Sequence, residues 1–234
     1  MTAAPSASGL DPQGSQSAVD PHDHMTWVTL VRHAETEWNR EGRMQGDQDS
    51  PLTPRGLAQA QALAAAFALD PPSHIYSSDQ GRALLTAHTV AQRCGLAVKP
   101  DRRLRERHYG DLQGLTWHEL RGQHPDLHAR FQSRDPDFVP PGGESTRDFQ
   151  ARVMPALEAI ASAHHGERLL IMTHGGVVGL VYRQVLSMPL DARRDYRLDN
   201  ASINRFRWAQ GHWHLLAWGD TGHLDAVQGR DDLV

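Results

Sequence analysis

The sequence predicts an α/β protein with a mostly parallel central sheet, and two observations predict it. From Trp27 onward, short β-branched apolar runs alternate with longer stretches of helical periodicity, the order that sandwiches a parallel sheet between helices. Two of those runs also end abruptly in polar residues. Val31 runs into Arg32-His33, and Met172 runs into Thr173-His174-Gly175-Gly176. Parallel sheets hold their ligand sites at the carboxyl ends of strands.

Residues 1–24 are rich in Ala, Ser, Pro, Gly and Asp without periodicity and read as a disordered tail, leaving one domain over 25–234. The His22-Asp23-His24 run reads as solvated tail rather than a metal site. Trp27–Val31 is the first strand. Thr53 followed by Pro54 is an N-cap and first-turn pair that opens a helix to about Leu69. His74–Ser77 is the second strand, and Asp79 is expected to cap a helix running to about Cys94 and ended by Gly95. Ser145 opens a long helix to about His164, with Pro155 as a kink point. Arg168–Thr173 is a buried-type strand, followed by a helix from Gly175-Gly176 to about Leu186. Ser202–Trp208 and His212–Trp218 close the chain as a hairpin across Ala209-Gln210-Gly211.

Composition sets bounds on function. The chain has 234 residues, 39% hydrophobic and 22% charged, which suits a soluble globule. Its 24 Lys+Arg against 28 Asp+Glu give −4, and three of those acids lie in residues 1–24. A near-neutral body has no general surface for nucleic acid or an anionic membrane, so any anion site is local. The single cysteine, Cys94, excludes an internal disulfide framework and a Cys-based zinc site, and its setting reads as core. No apolar run approaches the roughly 20 residues of a membrane span, and no basic start precedes an apolar stretch, so the chain reads as cytoplasmic. Lys99 is the only lysine and there are 15 His, so a lone Arg or His carries little information and arrangement carries much.

Four arrangements carry chemistry. A strand delivers Arg32 and His33 together at its end. Arg offers a rigid fork of donors for phosphate oxygens, and His is a nucleophile that needs no extreme pKa shift at neutral pH. In Ser77-Ser78-Asp79-Gln80-Gly81-Arg82 another strand ends and an Arg falls in the first helical turn. The helix dipole disfavours a cation there unless it faces an anion. Glu106 stands amid Arg105, Arg107 and His108, and His174 stands at a strand mouth before two glycines.

These pieces, in this order, resemble the histidine phosphatase superfamily, the phosphoglycerate-mutase-like proteins. Arg32-His33-Ala34 matches the family's RHG-type motif, with Ala where Gly is commoner. Gly42-Arg43-Met44-Gln45-Gly46, Pro51-Leu52-Thr53, Ser77-Ser78-Asp79, Pro141-Gly142-Gly143-Glu144-Ser145 and His174-Gly175-Gly176 match further segments, over about Trp27 to Leu224. The resemblance implies a three-layer α/β/α sandwich with a small cap over the site, formed by Met44–Thr53 and Leu104–Asp148. It implies His33 as nucleophile, with Arg32, Arg82 and His174 holding the phosphoryl oxygens. Asn39, Gln45 and Gly46 would add substrate contacts. Glu106 would give a proton to the leaving oxygen and later take one from water. Holding that proton requires a raised pKa and partial burial, so Arg105, Arg107 and His108 are expected to face away. No cofactor and no metal are implied, because Arg and His supply the positive charge.

The implied partner is a small-molecule phosphomonoester, and the resemblance allows a homodimer. Glu106-Arg107-His108-Tyr109-Gly110 looks like the mutase version of its segment. The short stretch from Leu115 to Pro140, which lacks the long insertion of cofactor-dependent mutases, favours phosphatase, as do Arg43-Met44-Gln45-Gly46 and Pro141–Ser145. Hydrolysis is therefore the expected activity. The alternatives are a 2,3-bisphosphoglycerate-dependent phosphoglycerate mutase and a phosphoprotein phosphatase or regulatory member. Met44, Tyr109, Trp117 and Phe138 are candidate contacts for the organic part of the substrate. His212 and His214 are expected on one solvent-facing side of the hairpin, and the segment Leu198–Ile203 resembles a family stretch near the site.

Overall fold

The computed structural model describes residues 25–227; the tail expected over residues 1–24 lies outside them. Six strands form one sheet in the order β3-β2-β4-β1-β5-β6. They are β1 (Met25–Arg32), β2 (His74–Ser77), β3 (Val98–Pro100), β4 (Arg168–Thr173), β5 (Ile203–Ala209) and β6 (His212–Asp220). The β3/β2, β2/β4 and β4/β1 pairings are parallel, whereas β1/β5 and β5/β6 are antiparallel. In the closing hairpin Gln210 and Gly211 both take positive φ, which matches the right-handed twist of two tightly joined strands.

The central strands are buried on both faces, and alternate residues serve two different cores. Leu30, Leu169 and Ile171 pack with Val153, Leu157 and Ile160 of α6 (Thr146–Ser162) and Val177 and Val181 of α7 (Gly175–Val185). Val31, Leu170 and Met172 face the other way, onto Leu63 of α2 (Pro54–Leu69) and Ala83, Ala87 and Val90 of α3 (Gly81–Cys94). The architecture is the expected three-layer α/β/α sandwich. α6 continues through Pro155.

Several boundaries behave as their residues dictate. Thr53 caps α2 through its hydroxyl, with Pro54 in the first turn, and Gly95 ends α3 with φ 69°. α3 departs from expectation. Its N-cap is Gln80 rather than Asp79, whose carboxylate is drawn away into a two-pronged pair with Arg105. The orphan N–H groups of Gly81 and Arg82 are met instead by the Asp49 carboxylate of a distant loop. Short elements with no strong periodicity complete the chain: the edge strand β3, α1 (Glu37–Glu41), α4 (Trp117–Gln123) and α5 (Pro125–Gln132). The last two belong to the cap. His212 and His214 are both exposed, on either side of buried Trp213. Among the described residues no helix is long and apolar enough to cross a membrane.

Candidate active site

β1 and β4 lie in register, Val31 beside Met172 and Arg32 beside Thr173, so their polar ends emerge together. His33 prolongs the ladder by one bond, its N–H donating to the Thr173 carbonyl at 2.8 Å. The chain then turns and is pinned: Ala34 N donates to Thr86 Oγ1 and Glu35 N to Gln59 Oε1. The buried Glu35 carboxylate accepts from Thr53 Oγ1 at 2.6 Å and pairs with Arg55 at 2.8 Å. Gly56 is required at the start of α2, because a Cβ there would collide with the Glu35 carbonyl.

This scaffold fixes the chemistry of His33. Nδ1 lies 2.8 Å from the Ala34 carbonyl, an acceptor only, so Nδ1 carries the proton and Nε2 keeps its lone pair. Arg82 Nε donates toward Nε2 at 3.3 Å. Burial, reinforced by the charges of Arg82 and Arg32, holds the His33 pKa well below its ordinary value, which keeps the ring neutral. His174 lies beside it, with ring centroids 5.2 Å apart, and its pKa is depressed chiefly by burial and then by Arg82. His174 Nε2 faces Ser78 Oγ at 2.8 Å, while its Nδ1 is buried with no hydrogen-bond partner. Nδ1 is therefore the ring atom left for a ligand oxygen, and it is a donor in the tautomer in which Ser78 donates to Nε2.

Arg82 is buried although charged. Its Nη1 meets Asp49 Oδ1 at 2.8 Å and the Gln48 carbonyl at 2.7 Å, and its Nη2 meets the Gly46 carbonyl at 2.7 Å. Asp49 thus offsets both the first-turn cation and the exposed helix terminus. Gly46 has φ 57° and positions Arg82 through its carbonyl, which also accepts from Gln80. Gln45 is buried, with its Oε1 unpartnered. Arg32 is tied by Nη1 to the Leu198 carbonyl at 2.6 Å. The side-chain oxygen of Asn39 accepts from Thr36 and from Asn200, leaving its Nδ2 as the group it can offer the cleft.

Glu106 is partly buried. Its Oε2 accepts from Gly176 N and its Oε1 from Arg107 N, each at 2.8 Å. Gly176 leaves room for it, since a Cβ there would collide with Oε1. Of its basic neighbours, Arg105 turns to Asp79 and His108 lies 3.3 Å from Asp47, as expected. Arg107 is the exception and turns inward. Its guanidinium reaches the Glu144 and Phe138 carbonyls and Thr146 Oγ1, acceptors that the cap supplies only once it has folded over.

Arg32, His33, Asn39, Gln45, Gly46, Arg82 and Glu106 all line one cleft of about 360 Å³ at the carboxyl ends of β1, β2 and β4. His174 stands just behind His33, fully buried. Among the candidate organic contacts only Tyr109 lines the cleft, whereas Trp117 packs on Phe131 and His128. Sequence patterns missed Asp49 and three lining arginines, Arg134, Arg183 and Arg194, and gave no individual role to Ser78 or Asn200, whose segments they did match. Among the described residues the one three-ligand cluster, His74, His164 and Glu167, lies at the amino ends of β2 and β4, away from the cleft. Its internal contacts account for it, with Glu167 meeting both rings and Tyr76 bonding His164 Nε2.

A mostly parallel, doubly covered sheet with a histidine–arginine cleft at its strand ends defines a phosphate-handling α/β enzyme. Residues 28–221 match the family model of the histidine phosphatase superfamily (branch 1), and the chain belongs to that family. It is 41% identical over 202 residues to Phosphoglycerate mutase-like protein 4 of Arabidopsis thaliana, covering 85% of this chain and 86% of that one. It is 39% identical over 214 residues to the Metal-independent phosphoserine phosphatase of the same plant, covering 89% and 87%. The solved structure of Bacillus stearothermophilus YhfR superposes with a TM-score of 0.80 at 36% identity, covering 86% of this chain and all of the other (100%). The chain is an enzyme of the histidine phosphatase type.

Proposed function

We propose that the protein hydrolyses small phosphorylated metabolites through a phosphohistidine formed on His33. One observation carries the reading: a neutral, buried imidazole whose Nε2 meets Arg82 Nε at the base of a cleft lined by Arg32, His33 and Arg82, with the unpartnered Nδ1 of His174 close behind. In the first step His33 Nε2 attacks phosphorus, the phosphorus–ester oxygen bond breaks, and Glu106 gives its proton to the departing oxygen. In the second step water attacks the phosphohistidine, Glu106 takes the water's proton, and the phosphorus–nitrogen bond breaks to release phosphate. Charge spread over the non-bridging oxygens meets preset Arg and His donors, so this chain's own residues supply the electrostatic stabilisation. The cleft is open to water, and water then outcompetes a second substrate hydroxyl for the phosphoryl group. We place the enzyme in the cytoplasm on the same reading.

The mutase alternative draws support from the mutase-like relative. One assay separates the two: phosphate release from p-nitrophenyl phosphate and 3-phosphoglycerate in EDTA, beside conversion of 3- to 2-phosphoglycerate with and without 2,3-bisphosphoglycerate. Hydrolysis predicts EDTA-resistant release that disappears in His33→Ala. Isomerisation outrunning release would move the protein to the mutase class.

A further inference from the structure

The residue that opens α3 does not serve its own helix. Thr36, Thr53, Thr116 and Ser145 cap α1, α2, α4 and α6 through their hydroxyls, whereas the Gln80 side chain makes no capping bond. Short-armed Ser, Thr, Asp and Asn suit an N-cap, and Gln lies outside that set. Solvent does not claim the side chain either, since Gln80 is 4% exposed. A buried primary amide has to find its partners inside the protein.

Gln80 finds them between the two halves of the chemistry. Its Oε1 accepts from the Glu106 main-chain N–H at 3.0 Å and from Arg82 Nη2 at 3.4 Å, and its Nε2 donates to the Gly46 carbonyl at 3.0 Å. These partners fix which end of the amide is which, because two N–H donors demand the oxygen and a carbonyl demands the nitrogen. The two ends of the link are unequal. Without Gln80, Arg82 keeps Asp49 and the Gln48 and Gly46 carbonyls. Glu106, by contrast, lies on the stretch between Leu104 and Gly110 that belongs to no helix or strand, so no ladder fixes its main chain. Side chains fix it instead: Arg152 of α6 donates to the Arg103, Arg105 and Glu106 carbonyls, and Gln80 takes the Glu106 N–H.

We propose that Gln80 is a positioning residue that sets the reach of the Glu106 carboxyl group to a phosphoryl group held by Arg82. One amide oxygen is shared by the arginine and by the main chain of the acid, so a phosphoester seated on the arginine finds its proton donor at a fixed distance. The role rests on the reading of Glu106 as the acid of the hydrolysis. The test is a double-substitution cycle read on 3-phosphoglycerate, an alkyl ester, and on p-nitrophenyl phosphate, whose leaving group needs no proton. Gln80→Met keeps an unbranched side chain of similar length and removes both polar ends of the amide. It should lower kcat on 3-phosphoglycerate by about tenfold, the worth of one lost hydrogen bond, and on p-nitrophenyl phosphate by no more than about twofold, with KM little changed. In Glu106→Gln, where the proton is already lost, adding Gln80→Met should change either rate by no more than about twofold.

Equal losses on the two substrates in Gln80→Met, or the same tenfold loss added on top of Glu106→Gln, would overturn the positioning role while leaving hydrolysis standing, because a general loosening of the site acts through no single residue. Gln80→Leu removes the same amide with a different shape and must give the same pattern; it decides the question if Gln80→Met folds poorly, as read from its urea midpoint. Failure of the underlying reading looks different. If Glu106→Gln alone slows both substrates equally, or the wild type releases phosphate from neither, the acid is lost and the role of Gln80 is overturned with it.

Discussion

At the base of the cleft the guanidinium of Arg82 is buried and locked by Asp49 and the Gln48 and Gly46 carbonyls, whereas at the rim the guanidinium of Arg194 rests on a tyrosine ring with one carbonyl for company. The same residue type thus appears in two states. At the base the orienting bonds are made before any ligand arrives, which suits a group of fixed shape whose charge grows in the transition state. At the rim the donors are held loosely and remain available, which suits a group that only has to be gripped. The base is set by strand ends and the first turn of α3, and the rim by the cap and the loop beyond α7. Catalysis and selection are therefore expected to respond to different substitutions.

The largest effect should come from His33→Ala. With the nucleophile gone, kcat should fall by about a thousandfold or more on every phosphoester, as read by phosphate release. Arg82→Ala should lower kcat/KM by about a hundredfold. It should also cost about 1–3 kcal/mol of stability in urea titration, because the Gly46 and Gln48 carbonyls and Asp49 lose their donor. A fall in activity with an unchanged urea midpoint would show that these bonds do not bear on the fold.

Gly176→Ala places a Cβ against the Glu106 carboxylate and should reproduce Glu106→Gln without touching any acid. Both should lose about a hundredfold on alkyl phosphates and only a few-fold on p-nitrophenyl phosphate, whose leaving group needs no proton. Equal losses on both substrate kinds would remove Glu106 from its role as acid.

The smallest effect is in stability against pH. His33 and His174 have folded pKa values below the unfolded value near 6.5, so the unfolded chain binds protons that the folded one refuses. Stability is whole above that value and is lost as pH falls beneath it. The urea midpoint should drop between pH 7 and pH 5, and the slope should flatten in His33→Gln/His174→Gln. A flat wild-type profile would show that the rings titrate normally.

What the sequence displayed was local. Arg32-His33 and His174 were legible because a strand pattern stops at them, and α2 because Thr53 and Pro54 mark its start. The α3 cap was not legible, since its acid, Asp49, lies 32 positions from Gly81 and Asp79 looked the better candidate. The Thr116-to-Glu119 capping box that opens α4 was present as a signal, but a seven-residue helix has too little periodicity to be noticed. Arg107 turned inward because the cap closes over it, and no local pattern reports that. The rim arginines were hidden by abundance, because in a chain where nearly every cation is Arg only three-dimensional convergence sets them apart.

The loop before β5 has a consequence for how the enzyme is made. The Leu198 carbonyl holds Arg32, Asn200 donates to the His33 carbonyl, and Ala201 N reaches the Arg32 carbonyl, across at least 166 positions of chain in each case. A ribosome delivers Arg32-His33 early and their braces late, and contacts so far apart in sequence form slowly. A nascent chain halted before Leu198 can have β1 beside β4 and still lack a finished phosphate pocket. The pocket's last braces thus come from the segment just before β5, far along the chain from the residues they hold.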